Sequence, residues 1–153
     1  MINGASGWSI RSVLISVTDL DRSTGFYQDV MRVQEVLRDD QMAVLSSDPT
    51  GSVTLFLRQA HHHAIRSGQQ ALGARAVSCD VGTFAELDRV EDRLRALDAF
   101  RDRRFLDEAK QFEVLRGHDP DRLALMFVAY EAGKRVSLQD YCRALTLMYG
   151  MDA

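Results

Sequence analysis

Polar and apolar residues alternate from Ser12 to Val17, with Val13, Ile15 and Val17 on one side. That period of two predicts a half-buried strand. From Asp19 to Met31 the spacing becomes helical, with Leu20, Phe26, Tyr27, Val30 and Met31 forming an apolar stripe. Gly25 weakens this helix by about 1 kcal/mol relative to alanine. Strands are predicted next at Val33–Leu37 and Met42–Ser46, joined through Arg38-Asp39-Asp40. After the turn Asp48-Pro49-Thr50-Gly51, alternation returns over Ser52–Arg58. Residues 59–73 are a polar, glycine-containing connector that carries His61-His62-His63.

The same order then repeats. A strand is predicted at Ala74–Cys79, followed by a helix capped by Thr83. Glu86 would complete the capping box, with Phe84, Leu87, Val90, Leu94 and Leu97 on the apolar face. Strands follow at Phe100–Phe105, Phe112–Arg116 and Leu123–Tyr130. A last helix is predicted from Ser137 to Tyr149, with Leu138, Tyr141, Cys142, Leu145, Met148 and Tyr149 on one face. Asp19 follows the first strand as Asp80 follows the fifth. The chain therefore reads as an α+β fold of two βαβββ modules, about 10–58 and 74–131, with a helix added at the end.

Splitting the strands into faces separates two chemistries. One face carries Val13, Ile15, Val17, Val53, Leu55, Leu57, Val77, Cys79, Leu123, Leu125 and Phe127, suited to packing under the helices. The other carries Ser12, Leu14, Ser16, Thr54, Phe56, Arg58, Ala74, Ala76, Ser78, Ala124, Met126, Val128 and Tyr130. On these strands Arg58 is its single charge. A small, weakly polar face with a few hydroxyls suits a small-molecule pocket. It equally suits a second packing surface, covered by the C-terminal helix or by a partner subunit.

Composition narrows the classes. The 153 residues make one ordinary domain, large enough to bury a core without a disulfide or metal staple. Nineteen basic residues against twenty-two acidic ones give a net charge of -3, which argues against a nucleic-acid module. Aromatic residues are not interleaved with basic ones, so a single-strand platform is unsupported. The N-terminal stretch has neither a basic n-region nor an apolar h-region, and Leu123–Tyr130 is far too short to cross a bilayer. With only Cys79 and Cys142, a reducing cytoplasm is the simplest expectation. There is no glycine-rich phosphate loop, nucleophile elbow or CxxC.

Ser16-Val17-Thr18-Asp19-Leu20-Asp21-Arg22-Ser23, then Phe26-Tyr27, resembles a strand-to-helix segment of the vicinal oxygen chelate superfamily. That superfamily includes glyoxalase I, extradiol dioxygenases, and fosfomycin and bleomycin resistance proteins. Gly117-His118-Asp119-Pro120-Asp121 is similar to the family's Asp-Pro-Asp-Gly turn. The resemblance covers about residues 10–131. It implies paired modules forming a U-shaped mixed sheet around a cavity, often completed as a homodimer. Metal-dependent members place His or Glu at four strand positions, which fall here at Ser12, Thr54, Ala74 and Met126. None is a usual donor for a divalent ion.

The leading expectation is a metal-free, cofactor-free protein that binds a small apolar or aromatic molecule. Ser12, Ser16, Thr54, Phe56, Arg58, Ser78, Met126 and Tyr130 are its candidate ligand contacts, with Arg58 placed to meet an anionic group or to reach solvent at the sheet rim. The alternatives are a lyase, isomerase or dioxygenase-like enzyme with a relocated metal or none, and a regulatory partner protein whose C-terminal helix covers the face. His61-His62-His63 reads as a solvated connector rather than a metal site, because adjacent side chains diverge. Cys79 and Cys142 read as packing residues, His118 as a turn residue, and the charged stretch 101–110 as a solvated, mixed-sign hairpin.

Overall fold

In a computed structural model of the chain, residues 12–47, 54–62, 64 and 76–134 are described. The last helix, Ala74 and most of the connector lie outside them. The chain divides into two compact units, Met1–Arg66 and Ser67–Ala153.

Unit 1 runs β1 (Ser12–Val17), α1 (Leu20–Met31), β2 (Gln34–Arg38), β3 (Met42–Ser46) and β4 (Thr54–Gln59). Its sheet has the order β1-β4-β3-β2, with β1 parallel to β4 and the other pairs antiparallel. Unit 2 repeats it as β5 (Ala76–Gly82), α2 (Phe84–Ala96), β6 (Phe100–Phe105), β7 (Phe112–His118) and β8 (Ala124–Tyr130). Its order is β5-β8-β7-β6, again with only the first pair parallel. Each unit is a βαβββ module with a mixed four-stranded sheet, and the fold class is α+β.

Each helix packs on one face of its own sheet. Val17, Leu45, Leu57 and Tyr27 are fully buried in unit 1, as are Leu87, Leu94, Leu115 and Leu125 in unit 2. Burying a side chain of this size contributes about 1.5–3 kcal/mol. Asp19 caps α1 by accepting from the Arg22 N–H at 2.9 Å. Gln59 ties the strand to this cap. Its Oε1 accepts from the Leu20 N–H at 3.0 Å, and its Nε2 donates to the Thr18 carbonyl at 2.8 Å.

Thr83 caps α2 in the same way, accepting from the Glu86 N–H at 3.2 Å. The reciprocal half of the expected capping box is replaced: the Thr83 N–H donates to the Val81 carbonyl, and Glu86 takes a hydrogen bond from Arg89. The stripe also ends early, because Leu97 is the C-cap and is exposed.

The fifth strand extends further than the alternation of Ala74–Cys79 predicts. It runs to Gly82 through a bulge between Asp80 and Gly82, where Gly82 has φ 81. Glycine takes that left-handed conformation without a Cβ clash. Asp80 therefore lies in the strand, and the residue equivalent to Asp19 is the cap Thr83. Gly117 meets a different demand, because a Cβ there would sit 2.7 Å from the Ala99 carbonyl oxygen and 3.0 Å from a Leu94 methyl.

Candidate functional site

Cross-strand partners share a face, so the registers define the face of each sheet turned away from its helix. In unit 1 that face has three rows. Ser12, Thr54, Ser46 and Gln34 form the first; Leu14, Phe56, Val44 and Leu37 the second; Ser16, Arg58 and Met42 the third. The five unit 1 candidates thus fall on one surface, with Ser12 opposite Thr54 and Ser16 opposite Arg58. Thr54 is buried and Phe56 half-buried, while Ser12, Ser16 and Arg58 are exposed. The middle row leaves apolar area uncovered: Leu14 is 60% exposed and Leu37 61%. No described residue forms an ion pair with Arg58.

In unit 2 the corresponding rows are Ala76, Ala124 and His118; Ser78, Met126, Arg116 and Asp102; Asp80, Val128, Val114 and Arg104; and Tyr130 with Phe112. Ser78 is exposed and opposite Met126, but Met126 is 0% exposed. It is packed with Phe112, Val114 and Val128, and Leu106 and Tyr130 close over the cluster. This part of the face is a small apolar core rather than an open surface.

Its polar content also differs from the expectation that Arg58 is the face's single charge. Arg116, 8% exposed, is bound to Asp102 in a two-point pair, with Nε donating to Oδ1 at 2.7 Å and Nη2 to Oδ2. The Arg116 guanidinium holds the Asp102 carboxyl below the usual carboxylate range. The Tyr130 hydroxyl donates to Asp80, whose other oxygen accepts from the Gly82 N–H at 2.8 Å. The signal for Arg116 and Asp102 lies in the alternation Phe112, Val114, Arg116 on β7, paired antiparallel with β6. Asp80 joins them because the strand passes through the bulge.

The charged stretch of β6 is only partly solvated: Arg101 and Arg104 are exposed, while Asp102 and Arg103 are partly buried. Asp102 turns to this face, while Arg103 turns to the helix face. There it donates to Glu113 at 2.7 Å through both Nε and Nη2, to Asp88 at 2.6 Å and to Glu91 at 3.0 Å. Burial pushes the Glu91 carboxyl up, but hydrogen bonds from Arg103 and Arg95 outweigh it and leave it below its ordinary value.

Cys79 is on the helix side, where burial pushes its thiol up to about 11, so it remains protonated and unreactive at neutral pH. His61 and His62 are exposed with ring centroids 4.1 Å apart, and His63 lies outside the described residues. His118 ends β7, with Nδ1 3.0 Å from the Asp119 carbonyl and Nε2 3.1 Å from Arg122, a turn environment.

Placing the two caps in correspondence gives the first-strand residues of the units a common frame. Ser12 matches Ala76, and their parallel partners are Thr54 and Ala124. Met126 sits opposite Ser78, and Ala74 lies outside the described residues. No group of three or more His, Cys, Asp or Glu side chains suited to a metal ion occurs among the described residues.

The sequence profile of the Glyoxalase/Bleomycin resistance protein/Dioxygenase superfamily matches residues 9–131. The chain belongs to this superfamily. Solved structures with the same fold include a glyoxylase/bleomycin resistance protein/dioxygenase domain from Frankia sp. EAN1pec. It is 23% identical, with a TM-score of 0.65, covering 88% of this chain and 96% of that one. Lactoylglutathione lyase from Agrobacterium tumefaciens is 19% identical, with a TM-score of 0.61 and coverage of 82% and 96%. The fosfomycin resistance protein FosX from Listeria monocytogenes, complexed with Mn(II) and sulfate, is 15% identical. Its TM-score is 0.63, with coverage of 93% and 99%. No curated protein matches the chain in sequence at a significant level. Among the described residues, no helix is long and apolar enough to cross a membrane.

Proposed function

We propose that the chain is a small-molecule binding protein of the glyoxalase/bleomycin resistance type. It sequesters or carries an apolar or aromatic compound without a metal ion at the superfamily's usual position. The donor set supports this reading most strongly. A divalent ion in such a site needs imidazole or carboxylate donors from the paired first and last strands of each module. The pairs here are Ser12 with Thr54 and Ala76 with Ala124, and they do not fit such an ion. One step along, Leu14 with Phe56 and Ser78 with Met126 offer apolar contact and one hydroxyl.

Ser12, Ser16, Thr54, Phe56 and Arg58 in unit 1, with Ser78, Met126 and Tyr130 in unit 2, make up the proposed contact set. Met126 is buried within its own unit, so of the three unit 2 members Ser78 and Tyr130 are the accessible ones. A cofactor-free homodimer in the cytoplasm completes the proposal. Native mass spectrometry of untagged protein, followed by a thermal-shift screen of aromatic and aliphatic compounds, tests it. A retained compound, or a class that raises the melting temperature, is the expected result. Silence across the screen would overturn the reading.

One observation favours a second reading. The Tyr130 hydroxyl paired with Asp80 is a phenol–carboxylate couple of the kind used for proton transfer. A metal-independent lyase, isomerase or related enzyme would use it. Turnover that disappears in Tyr130→Phe while ligand binding persists would favour the enzyme over the carrier.

A further inference from the structure

Arg58 differs from three other arginines of the described strands. Arg38, Arg103 and Arg116 are each bound to carboxylates. Arg58 has no ion-pair partner among the described residues, and it is the only charged residue in the three rows of the unit 1 face. Its position also counts against a protective role at a sheet edge. Edge strands commonly carry lone cations that discourage pairing with other chains, but β4 is an interior strand, between β1 and β3. The Arg58 side chain therefore rises from the middle of the sheet, with Ser16 beside it on β1 and Met42 on β3.

The next row on this face supplies the complement. Leu14 and Phe56 lie two residues back along β1 and β4, a displacement of about 7 Å at the usual strand rise. Leu14 is largely uncovered and Phe56 half-buried, so the pair presents apolar area next to a guanidinium with no ion-pair partner among the described residues. The arginine fork matches a carboxylate in two parallel hydrogen bonds, whereas a neutral ligand would leave it without a counter-charge.

Building on the small-molecule reading above, we propose that the unit 1 face selects monoanionic ligands: carboxylates joined by a short chain to an aromatic or branched apolar body. The carboxylate meets Arg58, with the Ser16 hydroxyl as a neighbouring donor. The apolar body lies on Leu14 and Phe56. Ser12 and Thr54, in the row beyond, meet the far end of longer ligands.

The test uses the full chain, titrated with 3-phenylpropionate and with its neutral isostere 3-phenylpropan-1-ol, and followed by amide and methyl NMR. The acid is expected to bind about tenfold more tightly than the alcohol, the range of one charge-assisted contact. Shifts should centre on Leu14, Ser16, Phe56 and Arg58, and the preference should shrink as salt rises. Arg58→Gln should abolish the preference by weakening the acid far more than the alcohol, and Arg58→Lys should restore part of it. Because Arg58 is exposed, an unchanged melting temperature in both variants will show that the fold is intact. Equal binding of acid and alcohol would overturn the anion selection while leaving the small-molecule reading in place. Failure of both probes to shift this face would overturn the site itself. Binding that shifts only unit 2 residues would overturn the placement.

Discussion

The two units share an element order, a strand order and a capped helix at the same point, yet their outward faces are finished in opposite ways. In unit 2 the centre of the face is closed. Phe112, Val114, Met126 and Val128 bury one another, Arg116 is matched by Asp102, and Tyr130 is tied to Asp80. In unit 1 the middle row exposes Leu14 and Leu37, and Arg58 has no carboxylate partner among the described residues. Because backbone topology is common to both, the difference lies in side chains at matching register positions. Phe56 corresponds to Met126, Arg58 to Val128, and Val44 to Arg116. One module matches its charges and packs its apolar side chains internally, while the other leaves Leu14, Leu37 and Arg58 exposed.

This contrast can be broken most forcefully at Arg103. Replacing it with Met would leave the buried Glu113 carboxylate without this partner, while Glu91 keeps Arg95 and Asp88 stays in solvent. A loss of about 2–4 kcal/mol in chemical denaturation is expected. A loss under 1 kcal/mol would mean that unit 2 does not depend on its matched charges. Gly117→Ala should cost about 1–3 kcal/mol, because the added Cβ meets the Ala99 carbonyl, which belongs to the backbone and gives way little. Neutrality in the same assay would show that β7 can move away from the end of α2.

Acid should loosen unit 2 next. The Asp102 and Glu91 carboxyls are held below their unfolded values by arginine partners. Their stabilisation is present above the unfolded values and is lost as pH falls through the lower, folded ones. The denaturation midpoint should therefore fall below about pH 4. Arg116→Met should remove the Asp102 part of that dependence, and an unaltered pH profile in this variant would contradict it. The smallest change is expected at Arg58. Arg58→Gln should alter stability by less than about 0.5 kcal/mol, as is usual for an exposed side chain. A larger loss would mean that this guanidinium has a structural role after all.

The doubled βαβββ order was legible because alternation and helical spacing are local, and β1, β3 and β6 begin and end where the pattern places them. The face chemistry of unit 2 was harder to see. Asp102 and Arg103 are adjacent in a run of charges that resembles a solvated hairpin. Alternation within β6 nevertheless sends one toward Arg116 and the other toward α2, and only the pairing with β7 reveals the partners. Asp80 was obscured by the bulge, which carries β5 beyond the point where its alternation stops. The unit 1 candidates were easier to find because Ser12, Ser16, Thr54, Phe56 and Arg58 sit on two strands in simple register. Their neighbours on β3, Val44 and Ser46, join the face only through antiparallel pairing.

Metal analysis of the untagged chain tests the donor set of the paired strands most directly. Protein purified without added metal or chelator should carry no stoichiometric Zn, Ni, Mn or Fe, and added Mn(II) should leave the amide resonances of β1, β4, β5 and β8 unbroadened. One equivalent of any of these ions per chain, with broadening centred on those strands, would contradict it.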